Sequence, residues 1–152
     1  MITYQLEKFS SIQVEAANLF VNHWHEIAID KDKVPLHPDW TKYSVLEHSD
    51  MLFCLTVRDG KLIVGYFIAF LLPHPHYSQS GTMAFTDVYY IRPDYRVGGT
   101  GVVMLIEAER LMKEKGVTKA YLSCKVHQDH TELFTKLGWN LTDLSFTKIF
   151  TE

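Results

Sequence analysis

The chain has 152 residues, 47% of them hydrophobic, which is enough to bury a core in the one domain predicted over residues 1–152. Its net charge of −3 disfavours a nucleic-acid partner, because proteins that bind nucleic-acid phosphates present basic surfaces. The apolar runs are too short to span a bilayer, and the first residues lack the pattern of a signal peptide. We therefore expect a cytoplasmic protein with no membrane partner.

The first third of the chain predicts a strand followed by two helices. Ile2 to Leu6 alternate as a strand does, and Ser10 or Ser11 is placed to cap a helix that runs to Trp24. One side of this helix is apolar and should lie on a sheet; its residues are Ile12, Ala16, Leu19, Phe20 and either His23 or Trp24. Charges and two prolines predict a loop over residues 30–38, and residues 39–48 predict the second, shorter helix.

The middle third predicts a β-hairpin. Residues 51–58 and 61–71 are apolar runs of the strand type, and Asp59-Gly60 between them is typical of a type I′ turn. Gly65 inside the second run indicates either a bulge or close packing. A loop over residues 73–81 follows, and residues 82–91 return as the next strand.

The last third predicts two helices separated by a strand. The helix over residues 102–113 ends at Gly116, and residues 118–126 alternate as a strand expected to lie parallel to the strand over residues 82–91. A short helix over residues 130–137 is closed by Gly138, and residues 139–150 predict one or two final strands.

The segment Asp87–Gly101 organises the chain, because it joins a strand to a helix through a turn with three glycines. Glycine lets backbone amides approach an anion closely, and the unpaired N–H groups of a helix's first turn attract negative charge. The glycine spacing does not match the dinucleotide pattern G-x-G-x-x-G, and no G-K-[ST] follows to make an NTPase phosphate loop. The segment predicts another kind of phosphate-binding turn, the alternative being a turn that needs glycine only for its geometry.

Two motifs in this sequence resemble those of one family. Arg96-x-x-Gly99-x-Gly101, between a strand and a helix, resembles the pyrophosphate-binding motif of the Gcn5-related N-acetyltransferases, the GNAT family. Leu133–Trp139 resembles the family's C-terminal L-Y-x-K-L-G-F signature, and the order of predicted elements is similar to that of the family throughout. The resemblance implies the α/β GNAT acyltransferase fold, with a mostly antiparallel central sheet flanked by helices and with parallel fourth and fifth strands that splay apart.

The resemblance also implies an activity and a set of site residues. It implies transfer of an acetyl group from acetyl-CoA to a primary amine of a small molecule or a protein, with the Tyr89 amide polarising the thioester carbonyl. A homodimer through the C-terminal strands is a further expectation from the family. The residues expected to bind acetyl-CoA are Tyr89, Tyr90, Ile91, Arg96, Val97, Gly98, Gly99, Thr100, Gly101, His127 and Phe134.

The proton-handling residues depart from the family's pattern. The acid of the family signature, a tyrosine, is replaced by Phe134, and two positions that hold glutamate bases in some members are Ser123 and Phe85. Asp87 is the candidate base, since it should share a strand face with Tyr89 and Ile91; alternatively it pairs with a surface cation. His127 is a candidate for proton transfer, or it contacts only CoA or solvent. Catalysis without a dedicated acid is also open, because a thiolate is a tolerable leaving group.

The remaining histidines, acids and cysteines predict no metal site. His23-x-His25 lacks the i, i+4 spacing of helical zinc ligands, and the acids over residues 26–32 indicate either a cationic substrate or a solvated face. Cys54 and Cys124 are expected to be small, reduced core residues, and for Cys124 the alternative to an inert residue is a proton donor. Two alternatives to an amine acetyltransferase remain. One is a CoA-binding sensor without catalysis, and the other is an enzyme that acts on nucleic-acid bases, as some phage-encoded relatives do.

Overall fold

Five strands form one mixed sheet in the computed structural model, which describes residues 1–150. Neighbouring strands in the sheet follow chain order, and the first four are antiparallel, whereas the fifth lies parallel to the fourth. The strands are β1 (Ile2–Leu6), β2 (Leu52–Asp59), β3 (Leu62–Pro73), β4 (Thr82–Ile91) and β5 (Val117–Tyr121). The sequence analysis predicted these five strands and the parallel pairing of the last two.

Helices cover both faces of the sheet. They are α1 (Phe9–Ile12), α2 (Ala17–Ile27), α3 (Trp40–His48), α4 (Thr100–Glu114) and α5 (Thr131–Lys136). The apolar sides of α4 and α5 pack on one face, and those of α1, α2 and α3 pack on the other. Because β2 and β3 are therefore buried on both faces, they read as continuous apolar runs. No helix within residues 1–150 combines the length and the apolarity needed to cross a bilayer.

The single helix predicted from Ser10 or Ser11 to Trp24 is two helices. The break lies between Ile12 and Ala17, and the second helix continues to Ile27. Neither serine is a cap: Ser10 lies inside α1, where its hydroxyl donates to Glu47 Oε1 of α3 at 2.6 Å. The predicted apolar side is nevertheless correct, since Ile12, Ala16, Leu19 and His23 are buried and Phe20 is partly buried. Helix α3 is also confirmed, with Asp39 as its N-cap.

The predicted hairpin of β2 and β3 is confirmed, but its turn is of another type. Asp59 pairs with Leu62, so the two loop residues are Gly60 and Lys61. Only Gly60 has a positive φ, whereas a type I′ turn needs it at both positions and a type II′ turn at the first. Both expectations for Gly65 hold: a bulge adjoins it, and an added Cβ would lie 2.6 Å from the Tyr90 carbonyl oxygen.

Strand β4 contains a bulge at Asp87, and this overturns the expected direction of that side chain. Ile68 pairs with Val88 and Ala69 with Thr86, so Asp87 is the extra residue. The bulge interrupts the alternation of period two that the sequence argument used. Tyr89 and Ile91 pack towards α4, while the Asp87 carboxylate turns to the opposite face, where it accepts a hydrogen bond from Tyr43 of α3.

The C-terminal segment does not form the predicted strands. Residues 139–150 are neither helix nor strand, and Leu141, Leu144, Phe146 and Phe150 are between 72% and 91% exposed. Only Trp139 is anchored, through its indole N–H to Glu109 Oε1 at 2.8 Å. A strand needs a hydrogen-bonded neighbour, and within residues 1–150 the outer edge of β5 pairs with no strand.

Candidate active site

A cleft opens where β4 and β5 part. Their pairing ends at Phe85 and Tyr121, after which the two strands diverge. The resulting cavity has a volume of about 650 Å³ and is lined by β4 from Thr86 onward, by the start of α4 and by residues of the 123–134 segment. This is a volume typical of cavities that hold a small organic ligand.

At the floor of this cleft, the backbone groups of every second residue of β4 point away from β3 and into the cleft. Arg92 donates its N–H to the Val64 carbonyl of β3 at 2.8 Å. Backbone groups of successive strand residues point to opposite edges, so the N–H groups of Tyr89 and Ile91 point towards the parted edge. Arg96 confirms the direction, since its Nε donates to the Ile91 carbonyl at 2.7 Å from that side. The cleft therefore offers backbone donors to an extended ligand.

The glycine turn leaves open space in front of its amides. Gly98 and Gly99 have φ values of +63° and +77°, which a residue with a side chain rarely adopts. A Cβ added at Gly99 or Gly101 would meet no atom within 4 Å. Within residues 1–150 the N–H groups of Gly98 and Gly99 donate to no backbone acceptor, and neither do those of Gly101 and Val102 at the start of α4. The Thr100 N–H donates to the Val97 carbonyl at 3.4 Å. The turn and the start of α4 therefore present several free donors.

Arg96 binds a protein carboxylate at the rim of the cleft. Its guanidinium donates to both oxygens of Glu26, in the last turn of α2, at 2.7 and 2.8 Å. These hydrogen bonds lower the pKa of Glu26 to about 2. Gln128 donates to Glu26 Oε1 at 3.0 Å from the far wall. Arg96 thus links α2 to the glycine turn.

Asp87 lies half-buried between two cavities. Burial raises its pKa, while the hydrogen bond from the Tyr43 hydroxyl to Oδ2 acts in the opposite direction. Oδ1 accepts no hydrogen bond from residues 1–150, and the neighbouring Thr86 hydroxyl is buried there without a partner. A carboxylate with a raised pKa and one free oxygen is suited to take a proton from a bound amine.

The second cavity lies on the α1–α3 side of the sheet and has a volume of about 270 Å³. It shares with the cleft only Asp87 and four neighbouring residues, namely His23, Ile27, Val88 and Lys125. His23 is buried, with Nδ1 2.7 Å from the Tyr66 hydroxyl oxygen, and burial lowers its pKa to about 4. It is therefore neutral near pH 7. Two ligands bound in these cavities would meet at Asp87.

The histidine that lines the cleft is His130, not His127. The sequence analysis expected His127 there, but its side chain is exposed and forms no part of the wall. The ring of His130 lies 6.5 Å from that of Tyr89 and 5.9 Å from that of Phe134, centroid to centroid. The loop turns between Lys125 and Gln128, which places the later histidine inward. Since both histidines lie in one polar loop, their spacing alone did not distinguish them.

The other predicted residues fall into two groups. Tyr89, Tyr90, Ile91, Arg96, Gly99, Thr100, Gly101 and Phe134 line the cleft, whereas Val97 and Gly98 lie on the solvent side of the turn. The Tyr89 hydroxyl donates to the Ser123 carbonyl at 2.8 Å, so this side chain bridges the parted strands, and burial raises its pKa. Tyr43, which holds Asp87, was missed, because nothing in a short helix 44 residues away signals that contact. No group of three or more metal-ligating side chains occurs within residues 1–150.

Comparison with known proteins points to one family. Residues 15–139 match the family described as "Acetyltransferase (GNAT) family". The fold is similar to that of ribosomal-protein-alanine N-acetyltransferase from Brucella melitensis biovar Abortus 2308, with a TM-score of 0.76, 19% identity, and coverage of 100% of this chain and 99% of that one. No curated protein matches the chain.

Two further solved structures share the fold. One is a predicted acetyltransferase with acetyl-CoA from Clostridium acetobutylicum, with a TM-score of 0.71, 18% identity, and coverage of 98% of this chain and 96% of that one. The other is an aminoglycoside acetyltransferase from an uncultured soil metagenomic sample in complex with sisomicin, with a TM-score of 0.72, 11% identity, and coverage of 99% and 95%. At these identities the likeness establishes the fold and leaves the substrate open.

Proposed function

The chain belongs to the acetyltransferase (GNAT) family, and on that premise we propose that it transfers the acetyl group of acetyl-CoA directly to a primary amine. Acetyl-CoA would supply an acyl group activated as a thioester, so that the carbon–nitrogen bond forms as the carbon–sulfur bond breaks and CoA leaves as a thiol. The residues of this chain then have to hold the thioester and take a proton from the amine. They also have to allow a proton to reach the leaving thiolate.

Two features of the cleft between β4 and β5 support acetyl-CoA as its ligand. The free amides of the glycine turn and of the start of α4 suit a pyrophosphate, and the open space in front of Gly99 and Gly101 admits one. The N–H groups of Tyr89 and Ile91 suit the extended pantetheine arm. We assign the Tyr89 N–H to the thioester oxygen, where a donor stabilises developing negative charge.

The main support for the proposal is the position of Asp87, because its half-buried carboxylate lies where the two cavities join. An amine arrives as an ammonium ion and must lose a proton before it can attack. The free Oδ1 takes that proton, and Tyr43 holds the other oxygen in place. Phe134 has no proton to give to the leaving thiolate, so that proton comes from the His130 side of the cleft or from water.

The first test is thermal unfolding with and without acetyl-CoA, followed by thiol release against amines. We expect a clear rise in the midpoint, since a ligand that binds only the native state stabilises it. We also expect thiol release with at least one primary amine. An unchanged midpoint at saturating acetyl-CoA would contradict the proposal. A raised midpoint with no release from any amine class would instead favour a CoA-binding sensor, the alternative that Phe134 supports.

We also propose a homodimer in which residues 140–150 of one chain add a strand to the outer edge of β5 of a second copy. Two observations support it: that edge is unpaired within residues 1–150, and four large apolar side chains of the segment are exposed. Phe146→Glu should lower the mass measured by light scattering from dimer to monomer, whereas Lys148→Glu on the same segment should not. A monomeric parent protein would refute this arrangement.

A reducing, cytoplasmic location is likewise proposed, and the two free cysteines support it.

A further inference from the structure

The smaller cavity is walled by aromatic rings. They are Phe9, Phe20, Trp24, Trp40, Tyr43 and Tyr66, contributed by α1, α2, α3 and β3. Neighbouring rings support one another: Phe9 stacks on Tyr43 with centroids 4.5 Å apart, and Phe20 lies 4.8 Å from Tyr66. Packed rings of this kind form a wall that exists before any ligand binds.

The polar groups of this cavity are few, and one of them is anionic. Asp87 is that anion, and it stands at the end that opens into the cleft. His23 is neutral near pH 7, and the hydroxyls of Tyr43 and Tyr66 are already engaged with Asp87 and His23. The remaining charge, Lys125, is a cation. The cavity thus offers one anionic point at its reactive end and apolar faces elsewhere.

We propose that the acceptor is a monocationic primary amine joined by a short chain to a flat apolar group, with its ammonium at Asp87 and its ring against the aromatic wall. This deepens the proposed function and rests on it. The Asp87 carboxylate pairs with the ammonium, and the ring faces bury the apolar body, so the cavity serves both parts of such a molecule. A volume of about 270 Å³ suits a ligand of one or two rings with a short side chain.

The same features exclude other amine classes. A polyamine or an aminoglycoside would bring a second ammonium among the rings, where no second carboxylate of the wall neutralises it. A peptide N-terminus would bring backbone amides that the apolar wall leaves unpaired. Ethylamine would reach Asp87 but leave the wall uncovered.

The test is a panel of amines, with tryptamine and phenethylamine against ethylamine, spermidine, sisomicin and an alanyl peptide. We expect kcat/KM for tryptamine to exceed that for ethylamine by about 10- to 100-fold, the value of burying one aromatic group. The three polar probes should react no better than ethylamine. A polar probe that reacts as well as tryptamine would overturn the substrate class and leave the acetyltransferase proposal intact.

Trp40 provides the matched variant, because it lines the cavity from a partly exposed position and its truncation should leave the fold intact. Trp40→Ala should raise KM for tryptamine about 10-fold and so reduce the preference for tryptamine over ethylamine by about the same factor. Tyr77→Ala, an exposed aromatic residue outside the cavity, should change neither. Equal loss for both amines in Trp40→Ala would contradict the inference.

Calorimetry separates this inference from the catalytic proposal. Tryptamine is titrated into protein saturated with CoA, so binding is read without turnover. Binding of tryptamine at least about 10-fold tighter than that of spermidine would support the substrate class even if no acetyl transfer is seen. Absence of tryptamine binding to the CoA-saturated protein would overturn the class whatever the enzyme does with other amines.

Discussion

The two cavities of this protein meet at Asp87 but are encoded in different ways. The cleft between β4 and β5 is built largely from backbone, over consecutive runs such as residues 86–91 and 99–102. The aromatic cavity is built from side chains that lie between Phe9 and Lys125 in the chain. A backbone site depends on turn and strand geometry, which a local motif can encode, whereas a side-chain site depends on which distant residues the fold brings together. Substitutions at the junction, in the cleft and at its rim can test this difference.

The largest effect is expected at the junction. Asp87→Asn removes the base and keeps the shape, so kcat should fall by about 10²- to 10⁴-fold, while the acetyl-CoA-induced rise in the unfolding midpoint should stay unchanged. Asp32→Asn, an exposed acid outside both walls, is the matched control and should retain full activity. If Asp87→Asn kept its activity, Asp87 would not be the base.

The pH dependence arises from the same residue. Because burial raises the pKa of Asp87, the active carboxylate form is lost as the pH falls through that raised value. The acid limb of kcat/KM should therefore lie above the usual range of an aspartate and disappear in Asp87→Asn. The free energy of unfolding depends on pH in the opposite direction. Because the pKa of Asp87 is raised in the folded protein, its protonation favours the native state, and this contribution is lost as the pH rises through the raised pKa. Asp87→Asn should thus be at least as stable as the parent near pH 7.

The second prediction concerns a substitution in the cleft alone. Gly99→Val should abolish the midpoint shift produced by acetyl-CoA, because the new side chain would stand before the free amides. Its positive φ should also cost about 1–2 kcal/mol of unfolding free energy. The control is Gly116→Val, which has a positive φ of +83°, lies outside the cleft and likewise meets no atom within 4 Å of an added Cβ. It should lose a similar amount of stability and keep the shift. A full shift in Gly99→Val would show that the turn binds no phosphate.

The same contrast explains what the sequence could predict. The strand, glycine turn and helix were predictable because hydrophobic period and glycine spacing are local. The direction of Asp87 was not, because a single bulge reverses a strand's alternation and depends on the register of β3 against β4. The partner of Asp87 was equally hidden, since Tyr43 reaches it only through tertiary packing. The C-terminal strands failed for a related reason: an alternating pattern does not reveal whether an edge is available.

The third prediction separates the two loop histidines. His130→Ala should lower kcat by about 10-fold or less, below the range of a full acid–base group, because water can also protonate a thiolate. His127→Ala should leave kcat unchanged, since its side chain is exposed and outside the cleft. The measurement is steady-state thiol release at saturating acetyl-CoA with the best amine of the panel. A larger loss in His127→Ala than in His130→Ala would show that the loop rearranges when acetyl-CoA binds.

The smallest effects concern Arg96 and Glu26, which connect α2 to the glycine turn. We expect Glu26→Gln and Arg96→Gln each to weaken acetyl-CoA binding only a few-fold and to cost about 1 kcal/mol or less of unfolding free energy, as for an ion pair that solvent still reaches. Arg96 lowers the pKa of Glu26 to about 2, so the contribution of this ion pair to stability depends on pH. The pair's contribution is present above the usual carboxyl pKa and is lost as the pH falls towards 2.

A double-mutant cycle decides what the motif arginine does in this chain. If Arg96 acts through Glu26, the double variant should bind acetyl-CoA no more weakly than either single variant, because either change already breaks the link. If the guanidinium binds phosphate directly, Arg96→Gln should weaken binding far more than Glu26→Gln does. Glu26→Gln would then even tighten binding, because it releases the guanidinium. Equal effects would leave the backbone amides of the turn as the main phosphate ligands.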